Sequence, residues 1–223
     1  MTELDIWLIE HRRAALRLAS ALAGVLFICW AVIQVHGSFP GDTALIPWIR
    51  HPHPPWPLDI YAKVFAAAAD PLFACLTVAC AWAIVDRYWG ARYGVLVLAA
   101  VAAVAINWTL KVTFGPTPLQ LSTHGPSAGN NFPSGHVAYA TSLCGILGWL
   151  ALSRGRHAVG LLMFTVIILM GPSRILDGAH WPSDVIAAYA LGTAWTILVL
   201  VRGLPWAAGQ PALAVQDGAR DPV

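Results

Sequence analysis

Charged residues are scarce in this sequence. Asp, Glu, Lys and Arg make up 11% of the chain and hydrophobic residues 58%, whereas a soluble globular protein has roughly 25% charged residues. This balance excludes an ordinary soluble domain and predicts an integral membrane protein. The net charge is +2, and the basic residues form short clusters rather than one stripe. We therefore expect no nucleic-acid partner.

Cysteines are also few, and their spacing excludes the common metal and redox motifs. Cys29, Cys75, Cys80 and Cys144 all lie in apolar stretches, with no Cys-x-x-Cys pair. Such cysteines usually act as small packing residues. The sequence predicts no metal ion and no cofactor.

Apolar stretches, by contrast, are abundant, and six of them are candidate membrane spans. They cover residues 14–35, 71–85, 93–110, 134–152, 158–171 and 185–201. The first is too long for a signal-peptide core, so we expect it to be retained. The predicted fold is all-α: a six-helix membrane bundle forming one domain over residues 1–202, followed by a disordered tail over residues 203–223.

A short additional helix is expected before the second span. Asp70 followed by Pro71 is typical of an N-cap and a first helical residue. Residues 58–69 would then form a separate helix along the membrane surface.

The arginines predict the orientation of the bundle, because cytoplasmic loops are enriched in Lys and Arg. In a six-span topology, one side carries Arg12, Arg13, Arg17, Arg87, Arg92, Arg154, Arg156 and Arg202. We expect that side, with both termini, to be cytoplasmic. We expect the membrane to be a bacterial inner membrane.

The fourth span begins with four unusual residues, Pro133-Ser134-Gly135-His136. Pro and Ser favour a helix start, and Gly allows close approach to the backbone. The first N–H groups of a helix lack intrahelical partners and lie at the positive end of its dipole. This helix start is a candidate phosphate site.

A second cluster joins the fifth and sixth spans: Ser173, Arg174, His180 and Asp184. Pro182 marks a first helical residue, which puts Asp184 at the third position. From there its carboxylate can reach back to His180. An aspartate bonded to one imidazole nitrogen leaves the other nitrogen available as a nucleophile.

The predicted topology brings both clusters to one side of the membrane, together with Lys111. Ionisable groups at such depth are costly and usually functional. Two cations, two histidines, a carboxylate and a helix start together suit phosphoryl transfer.

These residues resemble the motifs of the type 2 phosphatidic acid phosphatase superfamily, Lys-x6-Arg-Pro, Pro-Ser-Gly-His and Ser-Arg-x5-His-x3-Asp. The second and third motifs match in full, and the resemblance covers residues 71–201. It implies that His180 is the nucleophile, Asp184 orients it, and His136 protonates the leaving oxygen and later activates water. It also implies metal-independent chemistry. The implied phosphate ligands are Lys111, Arg174 and the amides of Ser134 and Gly135.

The first motif departs from this pattern. Lys111 opens it, but Pro118 stands at the position of the arginine, and Leu119 follows. Loss of one preorganised donor can cost about a hundredfold in rate. Arg50, Lys63 or His124 are candidate substitutes for that cation.

The resulting hypothesis is a membrane lipid phosphatase that acts at the extracytoplasmic face. Its expected partners are a lipid phosphate substrate and the bilayer, with no obligatory protein partner. Phosphatidic acid, phosphatidylglycerol phosphate, undecaprenyl diphosphate and a lipid A phosphate all remain possible substrates. Two alternatives stay open: a lipid phosphotransferase with the same intermediate, and a catalytically weak lipid-binding protein. A vanadate haloperoxidase is disfavoured by the short, apolar chain.

Overall fold

A computed structural model describes residues 1–45, 55–115, 117 and 132–209. Over these residues the structure is helical, with no strand. It contains eight α-helices and one 3-10 turn, Thr43–Leu45. The helices are α1 (Glu3–Glu10), α2 (Arg12–His36), α3 (Trp56–Ala68), α4 (Pro71–Trp89), α5 (Ala91–Phe114), α6 (Gly135–Ser153), α7 (His157–Leu176) and α8 (Pro182–Ala207).

Six of these helices are long and apolar enough to cross a membrane: α2, α4, α5, α6, α7 and α8. The six predicted spans are therefore confirmed as helices of that length. The predicted short helix before the second span is α3, and α4 begins with Asp70 as N-cap and Pro71 as its first residue.

Helices α6 and α8 form the centre of the bundle. Of their most apolar windows, 72% and 61% of residues are buried, against 28% or less in the other four spans. The outer helices expose large apolar side chains such as Phe27, Leu76 and Ile168. A helix that is apolar on its outer face suits contact with lipid.

The two central helices approach closely at a glycine. A Cβ atom on Gly192 of α8 would lie 2.6 Å from Thr141 Cβ and 2.9 Å from the carbonyl oxygen of Ala138 on α6. Small residues at such contacts let helix backbones pack tightly inside membranes.

The two ends of the bundle differ in chemistry. At one end, the Arg154 guanidinium lies over the rings of Trp89 and Tyr93, 4.8 and 4.4 Å from their centroids, which joins the end of α6 to the α4–α5 turn. This is the end that carries most of the predicted cytoplasmic arginines. The starts of α6 and α8 lie at the opposite end, together with the candidate site.

The predicted boundary of the tail is wrong at its first residues. We expected ordered structure to end at residue 202, but α8 continues to Ala207. Leu204 is fully buried and Pro205 is also buried, so this last turn packs into the bundle. Residues 210–223 lie outside the described residues.

Replacing Gly192 by Ala should destabilise the bundle by about 1–3 kcal/mol, because the new methyl group overlaps the α6 backbone. Thermal unfolding in detergent, followed by tryptophan fluorescence, would show a lower Tm. Gly24→Ala in α2 is the matched control, since a Cβ there meets nothing within 4 Å. Equal Tm values for both variants would contradict the close contact.

Candidate active site

The first turn of α8 holds the Asp184 carboxylate in place. Trp181 is the N-cap, Pro182 follows, and Asp184 occupies the third helical position. Asp184 Oδ2 accepts a hydrogen bond from the Trp181 N–H at 2.9 Å and lies 3.3 Å from His180 Nδ1. The predicted contact between Asp184 and His180 is therefore present. Both side chains are buried.

The turn between α7 and α8 places His180 beside Arg174. Gly178 has a φ of +67°, a left-handed conformation that glycine adopts at no steric cost, and it ends α7. The amides of Ala179 and His180 then both donate to the Arg174 carbonyl, at 3.2 and 3.3 Å. These hydrogen bonds hold His180 close to Arg174 across a seven-residue turn.

The surroundings of His180 favour its neutral form. Burial lowers its pKa, and the nearby charges of Lys111 and Arg174 lower it further. The hydrogen bond and the charge of Asp184 act in the opposite direction. A neutral imidazole whose Nδ1 faces a carboxylate has Nε2 as its nucleophilic nitrogen.

The start of α6 is attached directly to Asp184. Ser134 is the N-cap, and its backbone N–H donates to the Asp184 carbonyl at 3.2 Å. This amide, expected to bind a phosphoryl oxygen, is engaged within the protein here. The buried Ser134 hydroxyl, however, has no hydrogen-bond partner among the described residues.

His136 follows in the first turn of α6. Its ring hydrogen-bonds to the backbone of Ala66, near the end of α3, and lies within electrostatic range of Arg174, His180 and Lys111. The structure therefore brings the predicted histidines and cations into one cluster.

Asn107 supports the same helix start, and sequence reasoning missed it. Its Nδ2 donates to the Pro133 carbonyl at 3.2 Å, and its side chain is buried. An amide side chain one helical turn before Lys111, deep in an apolar span, was the available signal.

Arg174 is the site's clearest phosphate-binding candidate. Its Nη1 forms an ion pair with Asp177 Oδ2 at 3.0 Å, and its Nε lacks a hydrogen-bond partner among the described residues. A buried guanidinium without all its hydrogen bonds is costly, so an anionic ligand would stabilise it.

Two tyrosines hydrogen-bond to the backbone of α7 just before Pro172, which lies two residues before Arg174. Pro172 has no N–H to donate to the Ile168 carbonyl. The Tyr189 hydroxyl accepts from the Gly171 N–H at 2.9 Å and lies 2.8 Å from the Ile167 carbonyl oxygen. The Tyr61 hydroxyl of α3 donates to the Leu169 carbonyl.

Neither tyrosine was identified from the sequence. Tyrosine is common in apolar segments, and its partners here are backbone groups on other helices. No spacing in the sequence signals such contacts.

Of the three residues named as substitutes for the missing cation of the first motif, only Lys63 lies within the described residues. Lys63 pairs with Asp59 at 2.7 Å on α3, and its side chain is 70% exposed, so Lys63 is not part of the cluster. Pro118, Arg50 and His124 lie outside the described residues.

The structure is that of a polytopic helical membrane protein. At one end of the bundle lies a cluster of a buried His–Asp pair, a second histidine and two cations. The PAP2 superfamily profile matches residues 89–204, which includes all these site residues. The chain belongs to the PAP2 superfamily.

Two curated relatives share part of this chain. A lipid A 1-phosphatase of Rhizobium johnstonii is 36% identical over 77 residues, covering 34% of this chain and 30% of that protein. A lipid A 1-phosphatase of Rhizobium etli is 35% identical over 77 residues, covering 34% and 31%. The matches thus span about a third of these relatives.

Two solved structures share the fold. The first transmembrane PAP2 type phosphatidylglycerolphosphate phosphatase from Bacillus subtilis aligns with a TM-score of 0.62 at 21% identity, covering 79% of this chain and 93% of that chain. Aquifex aeolicus LpxE aligns with a TM-score of 0.57 at 22% identity, covering 73% and 96%.

Replacing Tyr189 by Phe should lower the free energy of unfolding by about 1–3 kcal/mol, because it removes the hydroxyl that lies 3.1 Å from the Ile168 carbonyl, to which Pro172 cannot donate. The Tm in detergent would report this loss. Tyr88→Phe, at an exposed position of α4, is the matched control. A Tyr189→Phe protein as stable as the control would show that α7 does not need the hydroxyl.

Proposed function

We propose that this protein is an integral membrane phosphatase that removes a terminal phosphate from a lipid phosphate or diphosphate through a phosphohistidine intermediate. One observation carries the proposal. The buried His180 contacts the buried Asp184 through Nδ1 and lies within electrostatic range of both Lys111 and Arg174. That arrangement suits a neutral nucleophile beside a bound anion.

In the first step, His180 Nε2 attacks the phosphorus atom and a P–N bond forms. The P–O bond to the lipid breaks, and His136 gives a proton to the departing oxygen. Asp184 stabilises the positive charge that develops on the His180 ring. The lipid leaves as an alcohol, or as a monophosphate when the substrate is a diphosphate.

In the second step, a water molecule attacks the same phosphorus atom and His136 accepts a proton from it. The P–N bond breaks, inorganic phosphate forms, and His180 is restored. Water supplies the oxygen that the lipid took away, so the atoms balance over the cycle.

Lys111, Arg174, the Ser134 hydroxyl and the Gly135 amide would hold the phosphoryl oxygens. The Arg174 Nε and the Ser134 hydroxyl support this assignment, because both are buried donors without a partner among the described residues. The phosphate would compete with Asp177 for the Arg174 guanidinium. Charge on the transferring group would thus be met by fixed donors.

The substrate would reach the site from the bilayer. The site lies at the end of the bundle opposite the arginine-rich turns, which supports an extracytoplasmic location. Phosphatidic acid, phosphatidylglycerol phosphate, undecaprenyl diphosphate and a lipid A phosphate are the candidate lipids. The similarity to lipid A 1-phosphatases makes the lipid A phosphate the first one to test.

His180→Ala should lower the rate of phosphate release at least about a thousandfold, because no other residue is assigned as the nucleophile. Release from the four lipids would be measured in detergent with a chelator present. His157→Ala is the matched control, since this exposed histidine begins α7 at the other end of the bundle. We expect it to keep the wild-type rate.

Phosphate release that survives in His180→Ala would exclude the phosphohistidine. Transfer of the phosphoryl group to a second lipid, without release into water, would identify a phosphotransferase instead. A folded wild-type protein that does neither would indicate a lipid-binding member without catalysis.

The acid limb of kcat/KM should lie below pH 6.5, the approximate pKa of an unperturbed imidazole. His180 attacks in its neutral form, and burial, with Lys111 and Arg174, lowers its pKa. Protonation therefore stops the reaction only at a more acidic pH.

Asp184→Asn is the informative variant for this pH profile. It removes the charge that favours the protonated ring, so the limb should move to still lower pH while kcat falls. A limb at or above pH 6.5 in the wild type, or an upward shift in Asp184→Asn, would contradict the assignment.

A further inference from the structure

Asp42 is a buried carboxylate that the function described so far does not use. It lies between α2 and the 3-10 turn, outside the residues matched by the superfamily profile, and is 2% exposed. A buried carboxylate is costly unless hydrogen bonds compensate for its lost solvation.

Three donors converge on this carboxylate. Asp42 Oδ1 accepts from the Ser183 N–H at 3.1 Å, and Oδ2 accepts from the Ser183 hydroxyl at 2.7 Å. Oδ2 also accepts from the Phe39 N–H at 3.1 Å, while the Asp42 N–H donates to the Phe39 carbonyl. Asp42 is therefore fixed within its own turn and bonded to a residue 141 positions away.

Ser183 is the second residue of α8 and immediately precedes Asp184. The N-cap, Trp181, has no side-chain oxygen that could accept the free N–H groups of this helix start. The Asp184 carboxylate accepts the Trp181 N–H, and Asp42 accepts the Ser183 N–H. Helix α8 is thus capped in part by a carboxylate from a distant segment.

The position of Asp184 depends on this cap. Its carboxylate contacts His180 Nδ1, and its carbonyl accepts the Ser134 N–H, so both contacts require the first turn of α8 to stay in place. Because Asp42 bonds both the amide and the hydroxyl of the preceding residue, it restrains the backbone at Asp184 directly.

Among the described residues, several charged or titratable groups lie within electrostatic range of Asp42 and of His180. Burial raises the pKa of Asp42, its hydrogen bonds from Ser183 and Phe39 lower it, and the charge of Asp184 raises it. Cys29 of α2 also lies within electrostatic range of Asp42. His180 interacts with Asp184, Lys111 and Arg174, and with His136.

We propose that Asp42 is a positioning residue for the His180–Asp184 pair: it caps α8 from the segment after α2 and so aligns Asp184 with His180. This inference rests on the proposed function for its meaning in catalysis. The structural part of the inference does not depend on that function, because it concerns only how Asp42 influences the tautomer and the pKa of His180.

Asp42→Asn tests this role with a change of one atom. The amide removes the charge and replaces one acceptor oxygen by a donor, so Ser183 and Phe39 cannot all keep their hydrogen bonds. A loosened Asp184 would hold the Nδ1–H tautomer of His180 less well. A weaker contact between Asp184 and His180 lowers the pKa of His180, because that contact favours the protonated ring.

The experiment is a pH titration of the protein labelled with ¹⁵N-histidine, followed by NMR in detergent. The His180 signals are assigned by their loss in His180→Ala. We expect one dominant neutral tautomer, protonated at Nδ1, in the wild type. Asp42→Asn should give mixed tautomers and a lower His180 pKa. Asp59→Asn is the matched control, because Asp59 pairs with Lys63 on α3 outside the site.

Wild-type tautomer and pKa of His180 in Asp42→Asn would overturn the inference. So would shifts that spread equally to the other histidines, because these would indicate general unfolding. In the doubly substituted Asp42→Asn, Asp184→Asn protein, the Asp42 effect on His180 should disappear. A persisting effect would show that Asp42 does not act through Asp184.

Activity supplies a separate readout. If the wild type hydrolyses a lipid phosphate, Asp42→Asn should lower kcat on the order of ten- to a hundredfold, the cost of a small misplacement, with a smaller change in KM. An unchanged kcat would exclude a role in turnover. If no lipid phosphate is hydrolysed, the proposed function fails, while the NMR titration still decides the role of Asp42.

Discussion

The Asp184 residue joins the parts of the site to one another. Its carboxylate accepts the Trp181 N–H and contacts His180, and its carbonyl accepts the Ser134 N–H. One residue therefore links the start of α8, the turn after α7 and the start of α6. In surroundings with little water, each of these polar groups would be costly without its partner. The same bonds that satisfy them also fix the geometry of the site.

The bundle supplies the rigid frame for these bonds. Helices α6 and α8 are the most buried spans, and they approach closely at Gly192. Because both helices begin at the same end, their unpaired N–H groups meet there. The first N–H groups of a helix have no intrahelical partner and remain available for other groups. This explains why polar side chains gather at that end rather than along the spans.

Some buried side-chain donors of the described residues have no hydrogen-bond partner. Within the described residues, the Ser134 hydroxyl and the Arg174 Nε lack partners, although both are buried. By contrast, the backbone groups near Pro172 on α7 are bonded by Tyr189 and Tyr61. Outside the cluster, Trp30 Nε1 and Thr141 Oγ1 are also buried without a partner in the part of the chain that the structure describes. The two unpaired donors of the cluster are the ones that the proposed function assigns to a phosphate.

Much of this protein was readable from sequence, because the features concerned are local. Apolar length predicted the six spans, and Pro182 with Asp184 predicted the helix start and the contact with His180. That contact runs over only four residues, so helix geometry alone determines it. The Lys, Arg and His residues that cluster at the bundle end were also predicted to share one side. Their catalytic roles remain predictions.

Other features depended on tertiary structure. Asp42 bonds a residue 141 positions away, and Asn107, Tyr61 and Tyr189 bond backbone carbonyls or amides of other segments. A backbone partner leaves no trace in residue identity, so no motif marks these contacts. The Ser134 amide was assigned to a ligand because sequence reasoning could not see the Asp184 carbonyl beside it. The sequence by itself determined which segments form the six spans and which local turns begin them, because both depend on neighbouring residues. Only packing between distant helices decided which polar groups form hydrogen bonds and which remain without a partner.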